Sequence, residues 1–258
     1  MGQPGRWQTN ASFLDRTKGC NPLGLSLTSP RANNAPFKIP SSDAMACKLQ
    51  GPRLTCQTPP SSSTATIADI QKRDDAMIQI MSDPLTMQHL PFLSKWTQET
   101  MAARREGQLE GSLRGEQLPF DVYEGTRLIG TAGFRSLENV EQDDPNTKLL
   151  VGEFGMILNH SHWGQGYGTE AHFLVLEYGF AELKVDSVFF QTADANSAMK
   201  GFFEKVFGTN KTETHREWAA FYDGDVCRYD LTREQWYGSV RERTLRRLEQ
   251  AAAANMQQ

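Results

Sequence analysis

The 258-residue chain has no apolar run approaching the roughly 18 residues that a membrane span requires. Its best candidate, Phe173–Leu183, is interrupted by Glu177 and Glu182. No apolar h-region stands near the N-terminus, so a secretory signal is not expected there. Cysteine is scarce. Cys20, Cys47, Cys56 and Cys227 lack metal-ligand spacing and read as free thiols of a reducing compartment rather than a disulfide framework. Positive charge is thin in the body of the chain: seven Lys/Arg stand against two Asp/Glu in residues 1–64, leaving 20 against 29, a net of −9, in the remainder. That body lacks the basic footprint on which nucleic-acid binding rests. It favours cationic partners, amines among them.

Residues 1–47 are rich in Gly, Pro, Ser and Asn without a sustained period, and are expected to be a disordered or flexible tail. Their basic, acid-poor composition also suits a mitochondrial transit peptide, but no amphipathic Arg-bearing helix stands out, and a cytoplasmic protein is the expectation. A domain over residues 48–237 and a charged C-terminal helix over 238–258 complete the expected organisation. Within the domain, Pro52–Thr58 alternates as a strand, and Ile67, Ile70, Met77, Ile80 and Met81 fall at helical spacing. A second helix is predicted from Ser94, as its N-cap, to Leu113. Two strands, Pro119–Glu124 and Arg127–Leu137, meet at Gly125, and Glu138–Lys148 reads as a polar loop. Leu149–Leu158 is a central strand, Thr169–Leu183 a helix, Val185–Thr192 a strand and Asn196–Phe207 a helix. Trp218–Tyr222 and Val226–Leu231 form a last hairpin across Asp223-Gly224. The closing arginines, interleaved with glutamates, read as a solvated face. The order β-α-α-β-β-β-α-β-α-β-β describes a mixed α/β sheet.

The chemistry concentrates at His160–Ala171, HSHWGQGYGTEA. Gly164, Gly166 and Gly168 lie between a buried strand and an amphipathic helix. Successive N–H groups with no Cβ in the way, reinforced by a helix N-terminus, make a cradle for phosphate. A dinucleotide loop needs its third glycine one residue later, and a P-loop needs a lysine before Thr169. His160 and His162 lack a third ligand nearby, so no metal is expected. Trp163 and Tyr167 read as aromatics that pack the turn down, and Trp218 and Phe221 as core residues with a secondary role walling a second substrate's site.

This stretch resembles the cofactor loop of the GNAT acetyltransferases, Q/R-x-x-G-x-G/A, and is most similar to the branch of ribosomal-protein-alanine N-acetyltransferases, with its W-G-x-G-Y-x-T-E-A form over Trp163–Ala171. Pro52-Arg53-Leu54, Met81-Ser82-Asp83-Pro84, Gly152-Glu153-Phe154-Gly155 and Asn196 with Glu204-Lys205 extend the resemblance, in order, over roughly residues 50–237. It implies a GNAT fold, a mostly antiparallel sheet with splayed fourth and fifth strands flanked by helices. It also implies acetyl-CoA as co-substrate, the pantetheine arm lying beside the backbone of Met156, Ile157 and Leu158. The N–H groups of Gln165, Gly166, Tyr167, Gly168 and Thr169 would take the pyrophosphate, Asn196 would touch the pantetheine side, and Lys205 would lie near the nucleotide end or else be a solvated lysine. Glu153 stands where other branches place a base, the alternative being a structural or orienting acid. The helix position that often holds a general-acid Tyr is Phe203 here, and a phenyl ring has no proton to give. The implied activity is acetyl transfer to a primary amine, on a small molecule or a protein N-terminus, by a monomer or homodimer. An acyl-CoA-binding module without turnover is the other reading.

Overall fold

A computed structural model of the chain describes residues 26–28, 47–90, 95–142, 148–215 and 224–255. Strands β1 (Ser26–Thr28), β2 (Lys48–Gln50) and β3 (Leu54–Gln57) come first. The strand predicted from Pro52 starts at Leu54 because Gly51–Arg53 form a turn, closed by the Gly51 N–H donating to the Leu54 carbonyl. Most of the predicted tail, with Cys20, lies outside the described residues.

Helix α1 (Ile67–Met81) is capped by Thr66, whose hydroxyl accepts from the Asp69 N–H and satisfies an otherwise orphan donor. Met77, Ile80 and Met81 are buried as the period demands, but Ile67, on the first turn, is 83% exposed. Helix α2 (Gln98–Leu113) begins after Thr97, which shares a reciprocal capping box with Thr100. The predicted cap, Ser94, lies outside the described residues.

Strands β4 (Leu118–Glu124) and β5 (Arg127–Glu141) make the expected hairpin at Gly125, and β6 (Lys148–Leu158) follows. The supposed polar loop is strand at both ends. Glu138, Asn139, Val140 and Glu141 pair in register with Val151, Leu150, Leu149 and Lys148. Ladder hydrogen bonds need no apolar side chains, so an exposed hairpin arm reads as loop from composition alone.

Helix α3 (Tyr167–Ala181) starts two residues before the predicted Thr169, and β7 (Ser187–Ala193) comes next. Helix α4 (Ser197–Phe202), N-capped by Asn196, loosens into a π-turn over Phe203–Phe207. Strands β8 (Lys211–His215) and β9 (Val226–Thr232) are antiparallel. The predicted strand Trp218–Tyr222, with Phe221 and Asp223, lies outside the described residues. The chain closes with α5 (Arg233–Gln235), a π-turn over Trp236–Val240 and α6 (Arg241–Asn255).

The strands form one sheet in the order β1-β2-β3-β4-β5-β6-β7-β9-β8, antiparallel except for the parallel pair β6–β7. Helix α3 covers one face and is buried nearly all round, between the sheet core of Phe120, Phe134, Phe154 and Phe190 and the closing segment with Trp236, Val240 and Leu248. That closing segment is therefore not a solvated face throughout. Trp236 Nε1 and Arg241 Nε both donate to the buried Glu177 carboxylate at 2.9 Å. Helices α1 and α2 cover the other face over a second, methionine-rich cluster of Met77, Met81, Met87, Met101 and Leu128. Among the described residues no helix is long and apolar enough to cross a membrane.

Candidate functional site

Strands β6 and β7 pair from Val151↔Ser187 as far as Phe154↔Phe190, and there the ladder ends although both strands continue. Gly155, Met156, Ile157 and Leu158 still pair with β5 on one side, so their opposite edge opens into the divergence. That is the expected splay. An extended polar chain can take a strand's place along such an edge. The Leu158 carbonyl is already used, accepting from Trp163 Nε1 at 2.7 Å, which ties the turn down onto the end of β6 as expected for this aromatic.

The glycine turn runs through Gly164 and Gly166, both at positive φ (73° and 82°), into the first turn of α3. Gly166 is the N-cap in a left-handed conformation without a capping side chain. The N–H groups of Gln165, Gly166, Tyr167, Gly168 and Thr169 find no acceptor among the described residues, and Glu170 is the first to close a helical bond, to Gly166 O at 3.1 Å. Five clustered donors at the positive end of a 15-residue helix are an anion site by construction. Gly168 faces β6: a Cβ there would lie 3.4 Å from Met156 Cε, which sets the turn against the open strand edge.

Arg53, quoted above only as part of an opening-strand motif, turns out to organise this turn. Its Nη1 donates to Gln165 O at 2.8 Å, and its guanidinium lies 4.4 Å from the Tyr167 ring centroid. Its own N–H and Nε, with the Leu54 N–H, bind the buried Glu170 carboxylate at 2.9, 2.9 and 3.0 Å. Tyr167 is held from its other end by a hydroxyl bond to Glu124. No local sequence signal marks Arg53, because its partners lie more than a hundred residues away.

Glu153 stands on β6 one residue before the divergence, on the face toward α1 and α2, since Phe154 turns to the α3 core. Arg135 Nη1 donates to its Oε1 at 3.0 Å. Burial pushes the Glu153 carboxyl above its usual range, Arg135 and Arg228 oppose that shift, and Glu138 adds to it. A half-buried carboxylate of raised basicity is what proton abstraction near neutral pH asks for. The Arg135 chain passes flat over β6 because position 155 is glycine: a Cβ there would come 2.6 Å from Arg135 Cδ.

Asn196 Oδ1 is committed to the Met199 N–H at 3.2 Å as the cap of α4, and Lys205 is exposed on the π-turn. Phe203, 2% exposed, packs against Phe190 and Tyr229 with centroids at 4.8 and 4.9 Å. His160 Nδ1 pairs with Asp83 at 2.8 Å, and His162 Nε2 lies 3.6 Å from Glu124, so each histidine faces a different carboxylate.

A residue without any sequence signal is His172. It is 1% exposed under the point of divergence, its ring 4.7 Å from Phe154 and 4.6 Å from Phe202, and its Nδ1 donates to Gly168 O at 2.8 Å. Burial pushes its pKa down to about 4 from 6.5. The folded state therefore resists a proton that the unfolded chain accepts. Stability is complete above pH 6.5 and falls as the pH drops toward 4, by about 3 kcal/mol in all. In urea titrations, a His172→Phe variant is expected to lose markedly less stability than the wild type between pH 7 and pH 4.5. Equal losses would assign the acid sensitivity to other groups.

Residues 65–206 match a family described as the acetyltransferase (GNAT) domain. An uncharacterised N-acetyltransferase p20 of Bacillus licheniformis is 27% identical over 118 residues, 44% of this chain and 61% of that protein, so the match spans less than two thirds of the relative. A solved acetyltransferase from T. thermophilus superposes with a TM-score of 0.56 at 22% identity, covering 78% of this chain and 96% of its own. RimL, a ribosomal L7/L12 α-N-protein acetyltransferase solved with coenzyme A, gives 0.55 at 14% identity, over 70% and 94%. At these identities the two structures establish a shared fold.

Proposed function

Because this chain belongs to the GNAT acetyltransferase family, we propose that it moves an acetyl group from acetyl-CoA to a primary amine by direct attack. The observation that carries this reading is the open edge of β6 running into five uncommitted N–H groups at the α3 N-terminus. The pantetheine arm would lie along Met156–Leu158 and the pyrophosphate would sit on Gln165–Thr169, as the RimL complex with coenzyme A supports in kind. Asn196 would offer its remaining amide donors to the pantetheine, and Lys205 would meet the nucleotide end.

The amine must be neutral to attack. Glu153, through a water, takes its proton; the nitrogen lone pair forms the C–N bond, and the C–S bond breaks with its electrons on sulfur. Phe203 can supply no proton, so coenzyme A leaves as thiolate and is protonated by solvent, which a thiol pKa near about 8.5 permits. The acceptor is either a small molecule or a protein N-terminus. Phe203, packed into the core, also favours a second reading, an acyl-CoA-binding module that does not turn over.

Thermal stability with acetyl-CoA, CoA and NAD at saturation tests the cofactor. At about a hundred times its Kd, a ligand that binds only the folded state adds roughly 2.7 kcal/mol. Both CoA species are expected to raise the melting temperature and NAD is not. A Gly166→Val variant, strained at φ 82°, should lose most of that shift. A wild type indifferent to CoA would end the cofactor assignment.

A further inference from the structure

The sheet face that carries Glu153 also carries Asp121 on β4, Arg135 on β5, Phe189 on β7 and Arg228 with Asp230 on β9. Helices α1 and α2 add Arg73, Asp74, Arg104 and Arg105 over part of it. Almost every arginine in this group has its acid. Arg73 grips Asp121 with Nη2 at 2.5 Å and Nε at 2.8 Å, and reaches Asp74 at 2.9 Å; Arg105 takes the other oxygen of Asp74 at 3.1 Å. Arg228 is held by Asp230 at 2.8 Å and lies over the Phe189 ring.

Arg104 is the exception. It is half-buried, its guanidinium is 5.7 Å from the Trp96 ring centroid, and no carboxylate lies within ion-pair distance among the described residues. Burial, then the nearby charges of Arg73 and Arg135, push its pKa down to about 10; Asp121 pulls the other way but is already forked onto Arg73. Arg135, 62% exposed, binds Glu153 through one nitrogen and keeps its other donors. Across Arg73, Arg104, Arg105 and Arg135, four guanidiniums meet three buried or half-buried carboxylates, Asp74, Asp121 and Glu153. The surplus sits beside the proposed base, in a body whose net charge is −9 beyond residue 64. An uncompensated half-buried cation is costly unless something anionic arrives to pair it.

We infer that the acceptor amine carries an anionic oxygen group, a carboxylate or phosphate, which docks on Arg104 and Arg135 while its amine faces Glu153. This rests on the acetyltransferase reading above and narrows its substrate class. Guanidinium is suited to the task, since its planar donors match a carboxylate or phosphate edge. Proton uptake by Glu153 neutralises the partner of Arg135 and leaves that guanidinium to the substrate's anion. The whole-body charge, which favours cationic acceptors, is overruled locally: a polyamine would bring its extra charges against two arginines.

The test pairs amines that differ only in the anion: an α-amino acid with its amide, and 2-aminoethylphosphonate with ethanolamine, alongside a polyamine. The anionic member of each pair is expected to have a kcat/KM at least tenfold higher, chiefly through KM. Arg104→Gln should abolish that preference and Arg104→Lys restore part of it. A second readout is independent of turnover. With CoA filling the glycine turn, sulfate should raise the melting temperature of the wild type and not of Arg104→Gln. If CoA does not bind, the cofactor reading fails by itself, and the sulfate comparison is made in the Gly166→Val background instead. Preference for neutral amines or the polyamine, or a sulfate response that is absent from the wild type or survives Arg104→Gln, overturns the inference.

Discussion

Replacing Glu153 with glutamine should lower kcat by about 10²–10⁴-fold, the usual contribution of a positioned base, while the melting shift given by CoA persists. The substitution keeps size and hydrogen bonding but removes the proton acceptor, so retained cofactor binding separates lost chemistry from lost structure. The pH profile adds a sign. Glu153 works deprotonated, so the rate climbs with pH through its pKa, which burial raises and Arg135 lowers. An Arg135→Met variant should therefore shift the acid limb to higher pH. A Glu153→Gln enzyme as fast as the wild type would remove the base from the mechanism, and a wild type that binds acetyl-CoA without acetylating any amine would favour the binding-module reading.

The largest loss of stability is expected from Asp121→Ala, about 3–5 kcal/mol. Asp121 is fully buried and accepts two bonds from Arg73, whose side chain is 5% exposed. Without it, Arg73 retains only Asp74, which must also serve Arg105. A buried cation then stands half-compensated beneath α1 and α2. Replacing Asp121 with leucine and Arg73 with methionine together should cost far less than Asp121→Ala, because a charge-free pair leaves nothing stranded. Urea denaturation measures both. A loss under about 1 kcal/mol for Asp121→Ala would mean that water or rearrangement relieves Arg73.

The middle of the fold was legible because its signals are local. The change from helical to alternating period near residue 118, the turn at Gly125 and the apolar run before the glycines placed β4, β5, β6, α3 and β7 close to where they stand. What misled was composition standing in for pairing. Glu138–Glu141 are polar yet laddered to β6, Ile67 obeys the period yet faces solvent, and the arginine-rich closing helix buries one side against α3. At the site, glycine spacing exposes a phosphate cradle to any reader, and the divergence of β6 from β7 follows from the resemblance. Arg53, Arg104, Arg135 and His172 could not be picked out, since each acquires its meaning from partners distant in sequence: a carboxylate 117 residues away for Arg53, an unmet charge for Arg104, a ring of phenylalanines for His172.

The tie between Arg53 and Glu170 bears on how short this protein can be made. Glu170 lies within residues 65–206, the span it shares with its family, whereas its three donors belong to residues 53 and 54, outside that span. A polypeptide trimmed to the shared span would keep the buried anion at the mouth of α3 and lose all three bonds that make its burial tolerable. What relatives hold in common is thus less than what can stand alone, and the shortest self-sufficient version of this chain starts upstream of Arg53.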